Sequence, residues 1–153
     1  MPERSAGLLL FRRRDTGVEI FLVHPGGPFW ARKDDGAWSI PKGLYEDDED
    51  PLLAAQREFA EEVGSRIDGD FNALGEFRLP SGKRLSVWAV EGDLDASRIV
   101  SNSFEIEWPP RSGKRANFPE ADRADWCTPD AARVKLTKGQ LQVLDAFLKT
   151  LPG

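Results

Sequence analysis

The sequence predicts an α/β domain, and three observations carry that prediction. Two apolar stretches near the start pair as strands, a helix with an apolar stripe follows a long loop, and a second pair of alternating strands comes after the helix. The chain has 153 residues, which fits one domain spanning residues 1–153 on a prior of roughly 100–200 residues per domain. A chain of this length buries ~68–70% of the surface its unfolded form exposes, so its core needs no disulfide or structural metal. A metal ion here would serve chemistry.

The elements follow in order. Residues 6–11 and 18–24 are apolar and flank a charged turn containing Arg12, Arg13, Arg14, Asp15 and Gly17, the pattern of a strand pair. From Pro25 to Lys42 the chain carries Gly26, Gly27, Pro28, Gly36 and Pro41, which predicts a long ordered loop. Asp50 suits a helix cap and Pro51 a first helical position. Over 52–63 the apolar residues Leu52, Ala55, Phe59 and Val63 recur at spacings of three and four, and Gly64 suits the position just past the end. Residues 73–79 and 84–91 predict strands joined by a turn at Pro80, Ser81 and Gly82. Phe104, Ile106 and Trp108 alternate as in a strand, Pro109 and Pro110 end it, and a basic loop with Arg111, Lys114 and Arg115 follows. A short helix is expected from Thr128 and Pro129. A final helix is expected from Thr137, where Thr137 and Gln140 match a capping box ahead of Leu141, Leu144, Phe147, Leu148 and Leu151.

Composition narrows the partners. Twenty-six acidic residues against 21 basic ones, a net charge of −5, argue against general affinity for duplex nucleic acid. A small phosphorylated substrate stays compatible, because bound metal ions reverse the local sign of the field. The lone Cys127 cannot form an internal disulfide, which suits a reducing compartment, and the cytoplasm is the default. No stretch approaches the ~20 apolar residues of a membrane span. Monomer and homodimer remain equally compatible with the sequence.

On the predicted helix, Glu58, Glu61 and Glu62 stand at i, i+3 and i+4 and project from one face. Like charges at this spacing repel by a few tenths of a kcal/mol, ~0.2–0.5 per pair, so a cation should compensate. Hard divalent cations take oxygen ligands and bridge to substrate phosphates, which clustered carboxylates suit. Arg57 could orient one carboxylate through a forked hydrogen bond. Taken alone, such an acidic run is an ordinary solvated helix face.

The wider spacing changes that reading. Gly43, then Glu49 after five residues, then Arg57-Glu58-Phe59-Ala60-Glu61-Glu62-Val63-Gly64 after seven more resembles the Nudix box, G-x5-E-x7-R-E-U-x-E-E-x-G-U with U apolar. Only the last position departs, with Ser65 where an apolar residue is usual, and it removes no ligand. The resemblance implies an α/β/α sandwich with a mixed β-sheet and a loop-helix-loop catalytic motif. It implies hydrolysis of a nucleoside diphosphate linked to another group, with Mg²⁺ or Mn²⁺. By position, Glu58, Glu61 and Glu62 resemble the family's metal ligands, with the carbonyl of Lys42 as a backbone ligand. Glu58 or a carboxylate from a later loop, Glu120 by the same resemblance, would act as general base. Arg57 would hold Glu58, and Glu49 and Gly64 would be structural.

The chemistry such a site must supply follows from the reaction. Attack of water on phosphorus needs charge neutralisation on the phosphate oxygens, an activated water and in-line geometry, and a nearby carboxylate can take the proton.

Around the box, Trp38-Ser39-Ile40-Pro41-Lys42-Gly43 resembles the segment entering it in diadenosine tetraphosphate hydrolases. Lys42, Gly43, Tyr45 and Trp38 are therefore expected at the substrate. Trp30, Trp38, Tyr45 and Phe118 are the aromatics from which one base-stacking residue is expected. His24, the only histidine, is expected to be structural. Lys83, Arg84, Arg111, Lys114 and Arg115 are possible grips for distal phosphates. The expected partner is a small nucleotide, with diadenosine polyphosphates or nucleoside triphosphates leading. ADP-sugars, capped RNA ends, diphosphoinositol polyphosphates and a non-catalytic nucleotide-binding module are the alternatives.

Overall fold

The computed structural model describes residues 3–152. Strand β1 (Arg4–Arg14) and β2 (Gly17–Pro25) form the expected antiparallel pair, with Phe11 opposite Ile20. The short strand β3 (Lys42–Leu44), which the loop-like composition of this stretch concealed, pairs with β1 so that Ala6 faces Gly43. Helix α1 (Pro51–Val63) follows, then β4 (Asn72–Arg78) and β5 (Arg84–Glu91). Next come the hairpin β6 (Ser103–Glu107) and β7 (Arg115–Pro119), strand β8 (Ala121–Cys127), α2 (Pro129–Lys135) and α3 (Leu141–Thr150).

The six-stranded sheet runs β4-β5-β1-β2-β8, with β3 also on β1, and the β1–β5 pairing is parallel while the others are antiparallel. This is the mixed sheet that the sequence resemblance implied. β1 lies inside the sheet and is covered on both faces, which is why its sequence is a continuous apolar run rather than an alternating one. Leu8 and Leu10 point to the side of α1, where they meet Ala54, Ala55, Phe59 and Val63. Leu9 and Phe11 point the other way, to Ala132 of α2 and to Val143, Leu144 and Phe147 of α3. The result is a helix layer on each face of the sheet, the α/β/α sandwich. Phe59 is fully buried and locks α1 in place; burying such a ring is worth about 1.5–3 kcal/mol.

Three local expectations change. The basic stretch after Pro109 is the turn of the β6–β7 hairpin, and the chain returns from it as β7. The stretch around Glu120 is the junction of β7 and β8 rather than a loop; β8 sits at the sheet edge, where exposed Asp122, Arg123 and Asp125 mask a strand pattern. The Thr137/Gln140 capping box does not form: Thr137 makes no side-chain cap, and a short 3₁₀ turn over Lys138–Gln140 precedes α3. Gln140 is buried instead, donating from Nε2 to Ser39 Oγ at 2.8 Å and accepting from the Ile40 amide at 3.0 Å. The tertiary bond displaces the local one because the buried Ile40 N–H has a larger penalty to escape.

Candidate active site

The site is assembled where the end of β3 meets α1. Asp50 accepts the Leu53 amide at 3.1 Å, Pro51 occupies the first turn, and Gly64 ends the helix at φ 85°. These signals fix the register of α1, and with it which side chains face β3. A Cβ at Gly43 would overlap the Glu58 carboxylate, so the glycine is required by space: it lets Glu58 lie flat against the strand.

Arg57 is the hub of the acidic face. Its Nε and Nη2 donate to the two oxygens of Glu49 at 2.8 and 2.9 Å, a bidentate pair across the loop. Nη1 donates to Glu58 Oε1 at 2.9 Å and to Glu61 Oε2 at 3.2 Å. The hydrogen bonds from Arg57 hold the Glu49 carboxyl below its ordinary range, and Glu49, Glu58 and Glu61 raise the Arg57 guanidinium. Glu49 thus ties the loop before α1 to Arg57.

The remaining carboxyls are short of positive charge. Burial raises Glu58 despite Arg57, with Glu61 and Glu120 adding repulsion. Burial pushes Glu62 up to about 8, against the pull of the Lys42 ammonium and backbone amide, and the Glu120 and Glu58 charges push the same way. Glu120 is likewise raised by burial and by Glu61. Its backbone is pinned on both sides, the amide donating to Asn102 O at 2.7 Å and the carbonyl accepting Gly26 N–H at 2.9 Å. A register shift between β2 and β8 falls at His24/Pro25, next to this junction, and Glu120 lines the same cavity as Glu62. Glu120 comes from a distant strand junction to within interaction range of the three helix carboxyls.

The cluster spans two cavities. Glu49, Arg57 and Glu61 line one of about 750 Å³ along the outer flank of α1. Glu62 and Glu120 line another of about 440 Å³ together with Lys42, Phe29, Trp30 and Phe104. Among the described residues no three His, Cys, Asp or Glu side chains converge closely enough to hold one ion as they stand. Arg57 Nη1 already engages Glu58 Oε1 and both oxygens of Glu61, so an ion there would compete with it. By chemistry the donor set fits a hard divalent cation: it is all oxygen, it is crowded, and burial and mutual repulsion hold three of its carboxyls above their ordinary range.

Not every expected substrate residue is at the cavity. Trp38 is buried, its Nε1 donating to Asp34 at 2.7 Å and its ring set edge-on to His24. It belongs to the core because α2 covers it, Trp38 N bonding Lys135 O at 2.9 Å. Tyr45 packs against the α1-side core, and Phe118 packs on Phe104 within the hairpin. Trp30 is the expected aromatic that does line the cavity. Phe29 and Phe104 were not anticipated, since their position depends on how the hairpin docks. His24 is structural as expected: fully buried, with Nε2 donating to Lys33 O at 2.6 Å and Nδ1 2.8 Å from Asp122 Oδ1. Of the basic candidates, Lys83 lines a neighbouring cavity of about 550 Å³ that shares Trp30 and Lys42 with the 440 Å³ cavity, while Arg84 pairs with Glu76 and Arg115 with Glu105.

Comparison with known proteins agrees with this geometry. The NUDIX domain family model matches residues 1–147. An RNA pyrophosphohydrolase from Rhodospirillum rubrum is 43% identical over 159 aligned positions, covering 99% of this chain and 93% of that protein. The Caenorhabditis elegans Ap4A hydrolase, solved as a binary complex, superposes with a TM-score of 0.66 at 19% identity, covering 96% of this chain and 99% of that one. The NUDIX domain of Shewanella oneidensis NrtR, solved with ADP ribose, gives 0.68 at 17% identity, covering 99% and 90%. The two structures share the fold. The family match along nearly the whole chain, the pyrophosphohydrolase relative and the motif geometry together make this chain a member of the Nudix hydrolase family, a pyrophosphohydrolase acting on diphosphate linkages in nucleotides.

Proposed function

We propose that the chain hydrolyses a phosphoric anhydride bond in a small nucleotide with Mg²⁺ or Mn²⁺ held by Glu58, Glu61, Glu62 and the carbonyl of Lys42. The observation that carries this reading is the meeting of Glu58, Glu61 and Glu62 from one helix face with Glu120 from a separate strand junction, beside Lys42. Bound divalent cations supply charge neutralisation on the phosphate oxygens. The protein's own groups do the rest. Arg57 orients Glu58, and Glu49 in turn fixes Arg57. The Lys42 ammonium offsets the negative charge of a bound phosphate chain. Glu120 is the general base, because its carboxylate is not engaged by Arg57 and it faces the cavity that Glu62 lines.

Diadenosine polyphosphates and nucleoside triphosphates are the leading substrates. A second reading, the triphosphorylated 5′ end of RNA, is favoured by the RNA pyrophosphohydrolase relative. A single-stranded end also agrees with a net charge of −5, which disfavours duplexes. We place the protein in the cytoplasm, acting as a monomer or homodimer. The test is a product screen: purified protein with Mg²⁺ and a panel of dinucleoside polyphosphates, nucleoside triphosphates, 5′-triphosphorylated RNA and nucleotide sugars, the products identified by mass. Metal-dependent cleavage of one class is expected. Nucleotide-dependent thermal stabilisation with no cleavage anywhere in the panel would replace the enzyme by a nucleotide-binding module.

A further inference from the structure

The β6–β7 hairpin is not part of the main sheet, yet it is fitted closely to the loop after β2. A Cβ on Gly26 would overlap the Pro119 carbonyl, and one on Gly27 would come within 2.9 Å of Phe104 Cζ. Gly27 also sits at φ 94°, a conformation that other residues rarely adopt. Two residues on, Phe29 meets Trp108 edge to face with centroids 5.5 Å apart. The Gly26 amide bonds Glu120 O at the foot of the hairpin. Hairpin and loop are thus one docked unit, and the same unit that presents Glu120 presents Phe29, Trp30 and Phe104.

Those three rings line the 440 Å³ cavity together with Lys42, Glu62 and Glu120. The volume lies within the ~300–1,000 Å³ of small-ligand sites, which combine apolar walls with a few polar anchors. Phe29 remains 61% exposed despite its contact with Trp108, so its ring is open to a ligand. A ligand that places its phosphates at Lys42 and the carboxyls can set its neighbouring group against the rings that line the same cavity. We infer that the hairpin–loop unit is a specificity element, with Phe29 and Phe104 the surface on which the nucleobase next to the attacked phosphate stacks. This rests on the assignment of the carboxyl cluster as the phosphate end of the site.

Binding, rather than turnover, tests it. With Mg²⁺ present, titration calorimetry compares α,β-methylene-ADP, a nucleotide that resists hydrolysis at the bridging position, with methylenediphosphonate, the same phosphate mimic without a nucleoside. Phe29→Ala should weaken the nucleotide analogue about tenfold, in line with a base–aromatic stack, and leave methylenediphosphonate unchanged. Phe29→Trp should restore the affinity and Phe29→Leu should not, which separates stacking from simple apolar contact. Equal loss for both ligands, no loss for either, full affinity in Phe29→Leu, or no binding of the nucleotide by the wild-type protein would each overturn the assignment. Absence of turnover in the product screen, with the base-dependent loss intact, would sink the hydrolytic reading and leave the stacking surface standing.

Discussion

Helices α1 and α3 cover opposite faces of one sheet, and similar sequence signals open them with different results. At α1 the Asp50 cap forms as local rules require. At α3 the Thr137/Gln140 pair has the same kind of signature, and Gln140 leaves it to hold Ser39 and Ile40, at the far side of the sequence. Capping rules hold where the side chains have no stronger claim on them. They fail where a buried amide of the loop leading to Lys42 needs a partner. The helices differ in the same sense energetically: α3 buries Val143, Leu144 and Phe147 and carries little conflict, whereas α1 carries Glu58, Glu61 and Glu62 together, with Arg57 holding only Glu58 and Glu61, and tolerates the repulsion. Strain is concentrated where function needs it.

That contrast can be broken most severely at α1. Glu58→Gln keeps shape and hydrogen bonding but removes the charge of a proposed metal ligand, and turnover should fall by orders of magnitude with the melting transition retained; near-normal steady-state rates would refute the role. Gly43→Ala should come next. Its methyl must displace the Glu58 carboxylate, and a shift of ~1 Å at a catalytic group costs up to ~10²-fold; an unaltered rate would mean that the contact between β3 and Glu58 is unimportant.

On the α3 side, Gln140→Leu strands the Ile40 amide and should cost about 1–3 kcal/mol in urea denaturation. Thr137→Ala, which loses no capping bond, should stay within ~0.5 kcal/mol of wild type. If the two costs were reversed, the capping box rather than the tertiary bond would be the operative interaction in solution.

A smaller effect is read from pH. Burial holds the folded Glu62 carboxyl at about 8, above its ordinary value, so below that the folded chain retains a proton that the unfolded chain has released. The stability tied to this group is whole at acid pH and is lost as pH rises from the ordinary carboxylate range to about 8. In chelator-treated protein, Glu62→Gln should therefore gain in urea midpoint over wild type progressively across that window. A constant difference would show that Glu62 is not held protonated by its burial.

Much of this was written locally in the chain. Apolar runs, the alternation of Leu85, Val87 and Ala89 and the Gly and Pro breaks placed β1, β2, β4 and β5, and the cap residues placed α1. The spacing of Glu58, Glu61 and Glu62 marked the acidic face before any coordinates. What the sequence concealed depends on distant partners. Trp38 reads as a loop aromatic, and α2 buries it. Phe29 and Phe104 gain a role only because Gly26 and Gly27 let the hairpin come close. β8 is an edge strand whose exposed charged residues obscure its alternation.

The central claim is that Glu58, Glu61 and Glu62 bind divalent cations despite the competing hold of Arg57. Calorimetric titration of the metal-free protein with Mn²⁺ tests it directly, comparing wild type with the double variant Glu61→Gln, Glu62→Gln. Saturable binding by wild type and at least a tenfold loss in the variant, on the scale of removing ligands from a metal site, is the predicted result. Equal affinity in the two proteins would contradict it and leave the acidic face an ordinary charged surface.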